Sequence, residues 1–190
     1  MKKNIVLISL FFWVNLYAGS IYTKACEGED YTACYNLGNL YNDGEGVKKN
    51  LIKAFKLYTK ACEGEEFKAC NSLGIAYEEG RGVNKNIKLS AELYLKACTH
   101  NVSNACYNLG VLYKHGKGVK KDLQKAIQLY SKACSAKEAD ACFKLGRFYN
   151  NGEGVRQDYK KAKEFFGIAC DGGNEDACKN YKILNQKGIH

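Results

Sequence analysis

The chain has 190 residues, 46% of them hydrophobic, with 10 cysteines and no proline; 29 lysines and arginines against 20 acids give a formal charge of +9. That length suffices for one cooperative repeat array, and no low-complexity linker marks a second domain. The basic excess is scattered as pairs (Lys48–Lys49, Lys120–Lys121, Lys160–Lys161) without an arginine-rich cluster, which speaks against a nucleic-acid binder.

The first segment, 1–20, reads as a secretory signal peptide. Lys2 and Lys3 form a basic start, and Ile5–Val14 is an apolar run. Such a run is too short to cross a bilayer as a mature helix, so an uncleaved anchor is the weaker reading. Cleavage is expected near 18–20, after Leu16-Tyr17-Ala18 or Ala18-Gly19-Ser20, and no cysteine follows closely enough for a lipoprotein. Losing Lys2 and Lys3 takes the charge from +9 to +7. The expected product is secreted or periplasmic, has no stable membrane anchor, and is a monomer.

Residues 21–29 form the end of a partial unit. Four full units follow, 30–65, 66–101, 102–137 and 138–173, on a fixed 36-residue period. Each opens with A-C-x-x-L-G-x-x-Y-x-x-G-x-G-V and ends in an apolar stretch that closes on cysteine. Ala33, Leu37, Leu40 and Tyr41 share one face of a first helix, and Leu51, Ala54, Phe55, Tyr58 and Ala61 share one face of a second. Gly44, Gly80, Gly116 and Gly152 stand where a left-handed cap would end the first helix. Asn50, Asn86, Asp122 and Asp158 stand at the N-cap of the second, each contributing about 1 kcal/mol. Gly38, Gly74, Gly110 and Gly146 cost about 1 kcal/mol apiece inside a helix. Close approach to Ala54, Ser90, Ala126 and Ala162 of the second helix is the expected compensation. Each unit is therefore a tight helical hairpin, and hairpins stack side by side. Residues 174–190 read as a capping helix with Cys178, Tyr181 and Leu184 inward and Lys179, Lys182 and Lys187 in solvent.

The cysteines form two series eight positions apart: Cys26, Cys62, Cys98, Cys134, Cys170 and Cys34, Cys70, Cys106, Cys142, Cys178. In one helix, eight residues would separate the Cα atoms by about 12 Å. A disulfide needs them within about 7 Å. The chain must reverse between them, with Gly28, Gly64 and Gly172 supplying the turn. Adjacent pairing (26–34, 62–70, 98–106, 134–142, 170–178) is the simplest geometry, although sequence alone leaves connectivity open. A zinc site would need C-x₂-C or nearby histidines, and a reduced-thiol core would need a cytosolic protein. Neither fits the spacing and the export signal, so no metal and no cofactor is expected.

Leu37–Val47, Leu73–Val83, Leu109–Val119 and Leu145–Val155 resemble the Sel1-like repeat, a relative of the tetratricopeptide repeat. The cysteine pair in every unit makes the chain similar to the Helicobacter cysteine-rich protein family. The resemblance implies an all-α, right-handed α/α superhelical solenoid of disulfide-stapled hairpins. It also implies binding of β-lactams or cell-wall peptides with slow β-lactam hydrolysis. Ser90, where Ala is usual, and Phe165-Phe166-Gly167 in the last unit depart from the pattern.

The residues themselves offer no catalytic set. There is no S-x-x-K, S-D-N or K-T-G, no G-x-S-x-G and no H-E-x-x-H. Bridged cysteines would be poor nucleophiles. In the related tetratricopeptide repeats the first helices line a concave face. With Leu37, Gly38 and Tyr41 as core, that leaves Tyr35, Asn36, Asn39 and Asn42 facing a groove. The matching positions are Asn71, Ser72 and Glu78, then Tyr107, Asn108 and Lys114, then Phe143, Lys144, Arg147 and Asn150. Asn36, Asn39, Asn108, Lys144 and Arg147 are the candidate ligand contacts. Arg147 can hold a carboxylate through two hydrogen bonds, with Lys144 adding charge. Such a groove would serve either the β-lactam reading or a non-catalytic scaffold for a protein segment with a free carboxylate; ordinary solvated polar residues are the competing reading.

Overall fold

A computed structural model describes residues 19–189. The expected signal segment, up to residue 18, and His190 lie outside the described residues. All regular structure among the described residues is helical. The chain divides into two compact units, 1–93 and 94–190, with the division inside α5.

Unit 1 holds α1 (19–27), α2 (Tyr31–Asp43), α3 (Leu51–Glu63), α4 (Phe67–Glu79) and the first half of α5 (Ile87–Thr99). α2 packs on α3 and α3 on α4. Unit 2 continues with the end of α5, then α6 (Ser103–His115), α7 (Leu123–Ser135), α8 (Ala139–Asn151), α9 (Tyr159–Asp171) and α10 (Glu175–Gln186). There each helix from α6 to α10 packs on the next. The core is built from the periodic faces, with small and branched residues (Ala33, Leu37, Ala54 and Ala61 in unit 1; Leu109, Leu112, Ala126 and Leu145 in unit 2) packed around buried rings (Tyr58 in unit 1; Tyr94, Tyr130, Phe148 and Phe166 in unit 2).

The caps are those the sequence pattern requires. Gly44, Gly80, Gly116 and Gly152 take φ between 67° and 80° and donate their N–H four residues back. The side chains of Asn50, Asp122 and Asp158 accept from the N–H of Lys53, Lys125 and Lys161, and Asn86 accepts from Leu89.

All five adjacent disulfides are present, with Cα atoms 4.6–4.8 Å apart, and no cysteine is free among the described residues. The turn that closes them differs from expectation. Gly64 and Gly172 have negative φ. The left-handed residue comes one position later, at Glu29, Glu65, Asn101, Lys137 and Gly173. Each donates its N–H to the carbonyl of the preceding cysteine, as Glu65 does to Cys62, while the next residue reaches back five positions, as Glu66 does to Ala61. This is the paired 5→2 and 6→1 bonding of a Schellman end. The residue making the long bond is also the N-cap of the next helix (Asp30, Glu66, Val102, Glu138, Asn174), so no loop remains to be ordered. That compactness explains how a separation of eight suits a cystine.

Two other expectations are corrected. A Cβ on Gly38, Gly110 or Gly146 would lie 2.5–2.8 Å from the ring of Tyr58, Tyr130 or Phe166. The in-helix glycines therefore make room for an aromatic ring, not for the alanines named above. In α10, Leu184 is buried as expected, but Tyr181 remains 36% exposed. Tyr181 occupies the place of Leu37 or Leu145, yet it lies beneath the ammonium of Lys163, 5.5 Å from its ring centre.

Candidate functional site

The five candidate contacts fall in both units. Asn36 and Asn39 lie on α2 in unit 1; Asn108 lies on α6, and Lys144 and Arg147 on α8, in unit 2. The two asparagines of unit 1 have different surroundings. Asn36 is half-buried. The carboxamide oxygen of Asn39 accepts from the Tyr58 hydroxyl at 2.8 Å. Burial raises the Tyr58 pKa well above the tyrosine range, so the phenol stays a donor. Asn39 thus serves the core with its oxygen and keeps only its NH₂ for other partners. It lines a cleft of about 130 Å³ with Asn42, Phe55, Ser72, Ile75 and Arg81. Arg81 is ion-paired with Glu79.

Unit 2 gathers charge. Lys144 and Arg147 are one helical turn apart on α8, and Lys114 of α6 approaches the same place. Burial, followed by the charges of Arg147 and Lys114, holds the Lys144 ammonium below the usual lysine range, against a smaller opposing effect of Asp140. Lys114 lies 3.6 Å from Glu153 and sits over the Phe148 ring. Neither Lys144 nor Arg147 has a hydrogen bond or an ion pair among the described residues; Lys144 only leans on the Phe143 ring at 5.9 Å. Asn108 stands one repeat before Lys144 in the same register and is half-buried.

Arg147 opens onto a cleft of about 330 Å³ walled by Phe143, Phe166, Asn150, Asp176 and Asn180. Phe143 and Phe166 pack with ring centres 5.8 Å apart, and the exposed Lys179–Asp176 pair stands at its edge at 3.0 Å. The α10 side of the cleft was missed in the sequence reading, yet its signal was available: one period beyond Lys144 lies Asn180. Phe166, part of the departure from the repeat pattern in the last unit, is 1% exposed.

Chemically, the arrangement can bind an anion. The exposed guanidinium of Arg147, without a hydrogen bond or ion pair among the described residues, offers two parallel N–H donors, and the half-buried Lys144 ammonium one turn away adds positive charge. Every described cysteine is bridged, and no group of His, Cys, Asp and Glu among the described residues could hold a metal ion.

Known proteins agree with this architecture. The Sel1 repeat family model matches residues 32–65, 67–102, 103–137 and 139–174. A Sel1 repeat protein from Oxalobacter formigenes is 31% identical over 86% of this chain and 72% of its own, with a TM-score of 0.77. A protective antigen of uropathogenic Escherichia coli with an SLR fold is 30% identical over 91% of this chain but only 38% of its own, with a TM-score of 0.85. Cysteine rich protein B of Helicobacter pylori is 41% identical over 70% of this chain and 96% of its own, with a TM-score of 0.56. No curated protein matches the sequence. Four family matches that coincide with four hairpins, each ending in a bridged cysteine pair, establish that the chain belongs to the Sel1 repeat family and is a disulfide-rich member like cysteine rich protein B.

Proposed function

We propose that the protein is an exported binding protein whose unit 2 holds a ligand by its carboxylate, at Arg147 and Lys144. The observation that carries this reading is two cations on one helix turn, neither in a hydrogen bond or an ion pair among the described residues, one of them held below its usual range by burial and then by the charges of Arg147 and Lys114. A bound carboxylate relieves that repulsion and uses the guanidinium fork. The end of a peptide, including a cell-wall peptide, and a β-lactam both present such a group. Export rests on the disulfides, which persist outside the reducing cytosol, together with the basic and apolar start of the sequence.

Slow β-lactam hydrolysis, implied by the family resemblance, draws no support from the names of the similar proteins or from any nucleophile set beside Arg147. It is therefore the binding half of that resemblance that is proposed. Titration calorimetry with a short peptide carrying a free C-terminal carboxylate, and with its C-terminal amide, separates the possibilities. Binding of the acid, at least tenfold weaker for the amide and for Arg147→Ala, is expected. Equal binding of both peptides, or an unaffected Arg147→Ala, would overturn it. Turnover of a chromogenic cephalosporin above a matched blank would restore the hydrolytic reading.

A further inference from the structure

The two edges of unit 2 differ in charge. One edge is formed by the links from first to second helices, 116–122 and 152–158, with the adjoining starts of α7 and α9. Lys117, Lys120, Lys121, Arg156 and Lys160 are exposed there, and none has an ion-pair partner among the described residues. Lys125 and Lys161 add two more exposed cations, each resting over a tyrosine ring at 5.2 and 5.3 Å. The acids on this edge are all committed: Asp122 and Asp158 cap helices, and Glu153 faces Lys114. The links are held in place, since the Gln124 side chain donates to the Gly154 carbonyl and Gln157 to that of Asn150. The opposite edge, made by the Schellman turns, mixes exposed Asp140, Asp171, Glu175 and Asp176 with exposed Lys132, Lys137 and Lys179, the last paired with Asp176. The excess of positive charge therefore lies on the link edge, which would face a negatively charged plane.

One apolar group stands among the cations. Tyr159, the first residue of α9, is 42% exposed, flanked by Asp158 and Lys160 and followed by Lys161. An exposed tyrosine beside lysines matches the headgroup level of a bilayer, where the ring meets the acyl boundary and the hydroxyl stays wet. Lysines act there as point charges toward phosphates, without the planar fork that reads carboxylate or base edges.

We propose that the link edge of unit 2 docks on an anionic phospholipid surface as a peripheral, salt-sensitive contact. Lys117, Lys120, Lys121, Arg156 and Lys160 supply the charge, and Tyr159 supplies the interfacial anchor. This is separate from the Arg147 site, whose residues are untouched in the variants below.

Co-sedimentation of the oxidised mature protein with vesicles tests it, using pure phosphatidylcholine against a mixture containing phosphatidylglycerol. Binding is expected only to the anionic vesicles, and raising the salt to about 0.5 M, where the Debye length falls to a few Å, should abolish it. Lys117→Gln/Lys120→Gln/Lys121→Gln/Arg156→Gln/Lys160→Gln should weaken binding at least tenfold with an unchanged helical circular dichroism spectrum. Tyr159→Ser should weaken it severalfold at constant charge. Equal binding to both vesicle types, full binding by the charge variant, or capture by heparin or DNA without capture by vesicles would each overturn the assignment.

Discussion

Tyr58 and Tyr130 occupy the same place in the repeat, each over an in-helix glycine, but their hydroxyls are treated differently. Tyr58 donates to Asn39, whereas residue 111, the counterpart of Asn39, is valine and the buried Tyr130 hydroxyl has no partner. An unsatisfied buried hydroxyl costs about 1–3 kcal/mol, and a made bond contributes about 1 kcal/mol. Tyr58→Phe should therefore lose about 1 kcal/mol, while Tyr130→Phe should be neutral or stabilising, as Phe166 already is in the last hairpin; paired urea melts check this. Lys137 has φ 61° with a Cβ that crowds its own carbonyl. Lys137→Gly removes that strain, and a gain of about 1 kcal/mol, or about 2–4 °C in Tm, is expected. Lys144 titrates in the unfolded chain near 10.5 and lower in the folded one. Between those two values the unfolded state binds more protons, so stability rises with pH across that interval. Lys144→Gln should flatten this rise and be more stable at neutral pH while binding carboxylate more weakly. Melting both proteins at several pH values from neutral to 10.5 measures the difference directly.

At the scale of the helix, α3 and α7 are each tied to the preceding turn by a lysine. Lys60 donates to the Cys26 carbonyl and Lys132 to that of Cys98, both at 2.7 Å. The matching residue of α9 is Ile168, which is 39% exposed and leaves the Cys134 carbonyl without such a donor. A charge-assisted bond of this kind, partly in solvent, contributes about 1 kcal/mol. Ile168→Lys is thus expected to stabilise unit 2 by about that amount, and Lys132→Met to destabilise it similarly. If thermal melts show the two changes moving stability in the same direction, the tie is not what these positions supply.

For the molecule as a whole, every link from a second helix to the next first helix is a closed cystine loop. The chain-entropy model assigns about 2.5 kcal/mol to a loop of this size. Five such bridges together exceed much of the 5–15 kcal/mol by which domains are ordinarily stable. Full reduction should therefore remove the cooperative helical melt, whereas replacing Cys134 and Cys142 together by alanine should cost about 2–3 kcal/mol and leave a folded chain. Retention of the native melt after complete reduction would show that packing alone holds the hairpins.

A strict 36-residue period made the hairpins, their glycine and N-cap ends and the cysteine pairing readable from sequence, because each depends on residues close in the chain and recurs in every unit. The same local logic put Asn36, Asn39, Asn108, Lys144 and Arg147 on first helices. What each of them does there was decided by side chains on other helices. Asn39 is engaged by Tyr58, 19 residues away, and the Lys144 ammonium is disfavoured by burial first, then by its neighbour Arg147 and by Lys114 from a different helix. Likewise, glycine at positions 38, 110 and 146 was legible as a need for space, but only packing reveals that an aromatic ring fills it. Periodicity determines which residues share a face; the chemistry of that face depends on distances between helices, which no spacing along one helix encodes.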